Sequence, residues 1–461
     1  MPAANNAGWF FGFPCTQCCC VPRVYAWGAG GTYQLANCGA FSRNAPPTPE
    51  NPRNYTSLDD ASASTPPRVV ERQKRWVVLT GGYYDFAGID ADGKLWNCGG
   101  NYYGELGRGN DDALMELSPL GDDRYSYCSM GWEHFLAIRS SGLLFACGRN
   151  ASGEVGDGTT TQRNTLTQIG SSKWATVSAG RSGSLGIQED GTLWSWGRMF
   201  VGDGTTNSQS SPKKIYGFVD SVSLSSSGSG YTDSPIVTAS APPAGGVVAE
   251  FRAEVTGGSV TKLDIIQAGH GYTSAPTLTF TGGGIQNQIT HATATAAIFS
   301  GTWQQVCRGY ARNAALTDDG RLYAWGSPLL DWPYYNSWFA PVRVGTKSWS
   351  HIAMPIYESG VVAGSFLAAI DTSGKLYRHP VVGTQFELLS NDTFTDCAAG
   401  REQTLAIKDD GTLWAMGANL NGSPGLGTFT GQQTTLAQVG SHKWLAVAAG
   451  PSSSYAIKDE A

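Results

Sequence analysis

The residue types that could do chemistry are few and unevenly placed. Near the start, Cys15, Cys18, Cys19 and Cys20 form a C-x-x-C-C-C cluster, with Cys38 beyond it. Two thiolates at the Cys15/Cys18 spacing can hold one zinc ion. A second Cys pair at similar spacing is absent and the histidines are scattered. A disulfide and plain buried thiols therefore stay open beside the metal, and no cofactor is expected. His134, in Gly131-Trp-Glu-His-Phe135, reads as a satisfied structural histidine. Asp318-Asp319 and Asp409-Asp410 look like paired carboxylates but fall at turns. There is no Gly-x-Ser-x-Gly elbow, no His-Glu-x-x-His helix and no phosphate loop. The expectation is binding without catalysis.

Two aromatic clusters could bind. Trp9, Phe10 and Phe11 lie in an apolar arm before the first repeat residue. Trp332, Tyr334, Tyr335, Trp338 and Phe339 replace the Gly-rich loop that follows the repeat glycine in other units. Exposed aromatics on a rigid scaffold suit protein interfaces and sugar stacking. The alternative is that they cover a neighbouring unit.

These side chains need elements to hold them, and the chain supplies a repeat. An aromatic residue precedes a Gly by six positions at Trp76/Gly82, Tyr125/Gly131, Trp174/Gly180, Trp303/Gly309, Phe394/Gly400 and Trp444/Gly450. A further Gly follows seventeen residues later at Gly99, Gly148, Gly197, Gly326 and Gly417. The Trp349 unit is irregular, with Pro355 at the sixth position. Short apolar runs such as Leu405-Ala-Ile407 and Leu413-Trp414, bounded by turn residues, mark β-structure. Between them stand Asp92-Gly93, Ser141-Gly142, Asp190-Gly191, Asp319-Gly320, Ser373-Gly374 and Asp410-Gly411. These predict two-residue hairpins with positive φ at both central positions. The repeated aromatics are expected to pack between units, each burying about 150–250 Å². Cys98 and Cys147 stand where other units carry Trp27, Trp196 and Trp325, so they read as core.

The unit that begins at Trp444 stops at Glu460-Ala461, and its missing half is found as Val24-Tyr25-Ala26-Trp27-Gly28. Seven units, one split, imply a ring closed by pairing the first strand with the last. Closure hides a sheet edge.

The pattern Trp…Ala-Gly…Leu-Ala-Ile…Asp-Gly-Thr-Leu-Trp…Gly, followed by Gly153-Glu-Val-Gly156-Asp-Gly158-Thr, resembles the repeat of the regulator of chromosome condensation superfamily. The resemblance covers most of residues 24–216 and 301–461. It implies an all-β fold: a seven-bladed β-propeller whose closing blade is shared between the N- and C-termini. It says little about function, because propellers host many unrelated roles.

Residues 217–300 interrupt the ring as a small inserted β-domain. They hold a shorter repeat, Gly228-Ser-Gly230-Tyr231-Thr232-Asp-Ser-Pro235 and Gly269-His-Gly271-Tyr272-Thr273-Ser-Ala-Pro276. This style resembles modules of tailed-phage structural proteins, notably of phages that infect cyanobacteria. The domain reading is thus an arm at 1–23, propeller at 24–216 with a Pro-rich excursion at 40–68, insertion at 217–300, and propeller at 301–461. The insertion is expected to fold outside the ring.

Net charge is −6, and no basic run exceeds Arg72-Gln-Lys-Arg75. That argues against nucleic acid, since phosphate contacts need clustered Lys and Arg. No apolar stretch is long enough to cross a membrane. Three function classes follow. The first is a virion component of a tailed phage, in the capsid, baseplate or fibre, assembled in the host cytoplasm. It would bind other virion proteins or a host-surface protein or glycan. The second is a cellular scaffold or small-GTPase exchange factor, as the superfamily resemblance implies. The third is an ultraviolet photoreceptor of that superfamily, suggested by fifteen Trp. Its Gly-Trp-Arg-His-Thr signature is missing, since Glu133 stands where Arg is required.

Overall fold

Glycine turns separate the short apolar runs and fold them back as antiparallel ladders. The computed structural model describes residues 23–28, 68–71, 74–285, 288–327, 338–356, 365–380, 385–401, 403–418, 422–427, 431–451 and 453–459. The first two strands, β1 (Arg23–Gly28) and β2 (Arg68–Glu71), belong to the last unit. The first complete unit is β3 (Trp76–Gly81), β4 (Asp85–Asp90), β5 (Lys94–Gly99) and the start of β6 (Leu114–Met130). The end of β6 opens the second, with β7 (His134–Arg139), β8 (Leu143–Gly148) and the start of β9 (Arg163–Ala179). The end of β9 joins β10 (Gly183–Gln188), β11 (Leu193–Gly197) and β12 (Gln209–Ile215).

After the insertion come its strands β13 (Val219–Ser226), β14 (Ile236–Ala239), β15 (Glu250–Thr256), β16 (Ser259–Gln267), β17 (Leu278–Thr281) and β18 (Thr293–Ile298). The fourth unit is β19 (Trp303–Arg308), β20 (Arg312–Thr317), β21 (Leu322–Gly326) and β22 (Trp338–Arg343). The fifth is β23 (Trp349–Ala353), β24 (Ser365–Asp371), β25 (Lys375–Pro380) and the start of β26 (Glu387–Ala399). The sixth is the end of β26, β27 (Gln403–Lys408), β28 (Thr412–Ala418) and the start of β29 (Gln432–Ala449). The seventh joins the end of β29 to β30 (Ser453–Lys458), then β1 and β2.

Among the described residues these make seven four-stranded antiparallel units, matching the seven repeats of the sequence. β1 pairs β30 with Val24 opposite Ile457 and Trp27 opposite Ser454, so the split unit closes as expected. The inner strands touch in order: β3, β6, β9, β19, β23, β26, β29 and β3 again. Side chains staple neighbours at this inner layer. The Met130 N–H donates to Thr80 Oγ1 at 3.0 Å, Ala179 to Ser129 Oγ at 2.8 Å, and Arg308 to Ser178 Oγ at 2.9 Å. Gln305 and Asp396 do the same for Ile352 and Val447.

The repeat aromatics Trp76, Tyr125, Trp174, Trp303, Trp349, Phe394 and Trp444 are all buried. Cys98 and Cys147 are buried free thiols, as expected from their register. The hairpins differ from expectation. Their glycines take φ of 78–87°, whereas among the described residues the only non-glycine residues with positive φ are Met199 and Phe200. Each glycine N–H returns to the carbonyl three residues back, as Gly191 does to Gln188 at 2.9 Å, and Gln188 N–H bonds Thr192 O at 3.0 Å. The turn is a three-residue loop closed by a left-handed glycine, so Asp and Ser keep negative φ.

Within the insertion, β13 pairs β18, and β16-β15-β14-β17 form a second sheet. The two motif copies share a device: Tyr231 Oη accepts the Ala292 N–H at 2.7 Å, and Tyr272 Oη accepts the Ala249 N–H at 3.0 Å. The insertion is not detached from the ring. Phe218 is fully buried in one cluster with Leu185, Ile187, Trp303 and Tyr323. Asp220 accepts from Tyr323 Oη at 2.5 Å and pairs Arg321 at 3.1 Å.

Candidate functional site

In four successive units the inner strand runs into its repeat glycine, which opens a two-residue tip. Gly82, Gly131, Gly180 and Gly309 donate their N–H to Asp85, His134, Gly183 and Arg312, each at 2.9 Å. The first tip residue then bonds the glycine carbonyl of the next unit: Tyr83 to Gly131, Trp132 to Gly180 and Arg181 to Gly309. The tips thereby line one mouth of the ring.

Four tip side chains form a column there. Tyr83 and Trp132 stack at 4.1 Å with a 5° interplanar angle. The Arg181 guanidinium carbon lies 4.1 Å from the Trp132 centroid and 4.2 Å from that of Tyr310. Tyr84 meets Tyr83 edge-on at 4.3 Å and Tyr102 at 5.7 Å. Tyr83, Tyr84, Trp132 and Arg181 are half-buried, while Tyr310 and Tyr102 are 40% and 61% exposed. Burial, then the neighbouring Tyr83, pushes the Tyr84 phenol up to about 12. Arg181 is the one basic side chain of the column.

Behind the tips, the third residue after the glycine is buried, and it is polar at Asp85, His134 and Arg312. His134 Nε2 lies 3.0 Å from Ser184 Oγ, and that hydroxyl gives its one proton to Glu154 O at 2.9 Å. His134 must therefore donate from Nε2, which leaves Nδ1 unprotonated. Burial pulls its pKa down to about 3, so the ring is neutral. It is a structural histidine, as the sequence indicated. In the next unit this position is Gly183, and Arg308 fills the space. A Cβ on Gly183 would come 2.5 Å from an Arg308 guanidinium nitrogen. Arg308 is bonded to Asn313 Oδ1 at 2.6 Å and to the carbonyls of Arg198, Met199 and Phe200 at 2.9, 3.2 and 3.4 Å. Burial lowers its pKa to about 10.

The acids here are interior groups. Both Asp85 carboxyl oxygens are buried without a hydrogen bond, and burial raises its pKa well above the usual range. Glu105 Oε2 accepts the Tyr103 N–H at 2.8 Å, and burial raises that carboxyl to about 7. Among the described residues no group of three or more His, Cys, Asp or Glu is placed to hold a metal ion.

Most aromatic and Cys candidates from the sequence lie outside the described residues: Trp9, Phe10, Phe11, Cys15, Cys18, Trp332, Tyr334 and Tyr335. The other two, Trp338 and Phe339, belong to strand β22 rather than a loop and are half-buried. Phe339 stacks on Phe200 at 5.9 Å, and its N–H bonds Gln267 of the insertion at 3.1 Å. The mouth column was missed in the sequence. Its signal was present, as the residue after each repeat glycine, but no contiguous aromatic run marks it.

The model of the regulator of chromosome condensation (RCC1) repeat matches residues 129–154, which include Trp132, His134 and Glu154. No curated protein sequence matches the chain. Human WBSCR16 is similar in structure, with a TM-score of 0.63 at 15% identity over 95% of this chain and 99% of that one. A chain in the structure of Kap60 bound to yeast RCC1 (Prp20) gives 0.60 at 14% identity over 96% and 90%. Prp20p of Saccharomyces cerevisiae, described with its binding to Gsp1p and histones, gives 0.59 at 13% over 96% and 93%. Together with the strand pairing, these likenesses show that the chain has the fold of the RCC1-type β-propellers.

Proposed function

We propose that the protein is a non-catalytic scaffold that binds a partner protein at the mouth lined by Tyr83, Trp132, Arg181 and Tyr310. One observation carries this reading. Four successive units place a large planar side chain at one register position, and the four touch in a single column open to solvent at its flanks. Trp, Tyr and Arg are the side chains that most often dominate interface energy. The fold does not choose the partner. The test is crosslinking and co-purification of the tagged protein from its source cells, beside Tyr83→Ala and Trp132→Ala. Loss of a stoichiometric partner from both variants, with their melting little changed, is expected. A partner retained by both removes the mouth as the site, and no specific partner for the intact protein removes the scaffold reading.

A second reading, a tailed-phage virion component facing virion neighbours or a host-surface protein or glycan, is favoured only by the paired Gly-x-Gly-Tyr-Thr segments of the insertion. Under it the arm and the 332–339 segment would be further contact surfaces. Mass spectrometry of purified particles tests it: a chain missing from them is no virion protein.

A further inference from the structure

We propose that the guanidinium edge of Arg181 docks a carboxylate of the partner, an Asp or Glu side chain in an acidic segment, with Arg198 as a second cation beside it. This deepens the scaffold reading and rests on it. The guanidinium carbon lies over two rings, Trp132 at 4.1 Å and Tyr310 at 4.2 Å. Neither ring accepts a conventional hydrogen bond from the planar N–H edge. Among the described residues no carboxylate or carbonyl accepts a hydrogen bond from it. The acid in the neighbouring tip, Glu133, is taken by Arg149 at 2.9 Å. Asp85, Glu105 and Glu154 are buried behind the tips. Arg198 is held close by, since its N–H bonds the carbonyl of Ser182 at 2.7 Å. Its side chain is exposed and pairs with no acid among the described residues.

A guanidinium fork matches the two oxygens of a carboxylate. Contact with two rings holds the fork beforehand, so less side-chain freedom is lost on binding. The packing of the column argues against single-stranded nucleic acid. Bases need free aromatic faces, and here Trp132 is covered by Tyr83 on one side and Arg181 on the other.

The experiment is fluorescence anisotropy with the full chain and three labelled probes: a Glu-rich peptide, its Gln counterpart and an oligothymidylate. The Glu peptide should bind tightest and weaken as salt rises. Arg181→Ala should weaken it by about tenfold or more, and Arg181→Lys, which keeps the charge but loses the fork, by nearly as much. Arg198→Ala should cost less. Unchanged circular dichroism of the Lys variant separates the effect from misfolding. Equal binding of the Glu and Gln peptides, an Arg181→Ala affinity equal to wild type, or tighter binding of the oligothymidylate overturns the proposal. So does self-association that Arg181→Ala abolishes, which would give the edge to a second copy. A cellular partner that survives Arg181→Ala would sink this inference while leaving the scaffold standing.

Discussion

Glu105 sits out of water with Oε2 on the Tyr103 N–H and Oε1 bare, its pKa raised from 4.5 to about 7 chiefly by burial. A carboxyl whose folded pKa lies above its unfolded value favours the fold while protonated. That contribution is complete below about pH 4.5 and is lost as pH rises through 7. Glu105→Gln should therefore gain stability relative to wild type across that window, by up to roughly 3 kcal/mol, and level off above it. Paired urea melts at several pH values will show it, and a pH-independent difference would contradict it. The carbonyls at the equivalent loop position of other units reveal a latch. Glu154 O accepts from Trp196 Nε1 at 2.8 Å and Ser184 Oγ, and Ser423 O accepts from Trp27 Nε1 at 2.9 Å and Ser454 Oγ. Phe200 O likewise accepts from Trp325 Nε1 and Asn313 Nδ2, each at 3.0 Å. Ser184→Ala strands the His134 Nε2–H as well, so a loss of about 1–3 kcal/mol in melts is expected. The register of Trp27, Trp196 and Trp325 was legible as core. Their acceptors were not, because each belongs to the preceding unit and no local pattern names it.

At the scale of elements, the repeat units, the hairpin sites and the split closure were legible because glycine spacing and apolar runs report them directly. The hairpin geometry was misread. Asp-Gly suits two turn types, and only the backbone shows that glycine alone is left-handed. The unbroken register on both sides of the insertion says nothing about Phe218. That ring is stacked on Phe299 at 5.0 Å, and the Phe299 N–H bonds Phe218 O at 2.9 Å. The place of a cut therefore matters. Removing 219–298 and joining Phe218 to Phe299 by a tight turn should leave the ring folded. Joining Gly217 to Gly301 instead deletes both rings and should cost about 3–5 kcal/mol or more, as for a core Phe lost to Ala. Thermal melts of the two deletions decide it, and equal melting would show that Phe218 is dispensable. Deleting residues 1–28 removes β1 from between β30 and β2 and strips the indole latch at Trp27. Soluble yield and melting temperature should both collapse, and an unchanged melt would mean that β30 tolerates a bare edge.

At the scale of the molecule, the ring turned residues some fifty positions apart into neighbours, as the Met130–Thr80 and Ala179–Ser129 bonds show. That is why the mouth column stayed hidden. Tyr83, Trp132, Arg181 and Tyr310 are of three types and are never adjacent in the chain, whereas the run from Trp332 to Phe339 is conspicuous as a contiguous segment. The split unit has a mechanical consequence. Arg23 lies opposite Lys458, so the loose ends of β1 and β30 leave the ladder at the same end. A load drawn between those two residues peels the pairs one after another instead of shearing them together. The propeller should thus give way at its own seam, at low force and in a stepwise fashion, while a pull applied across any intact blade meets the whole sheet at once.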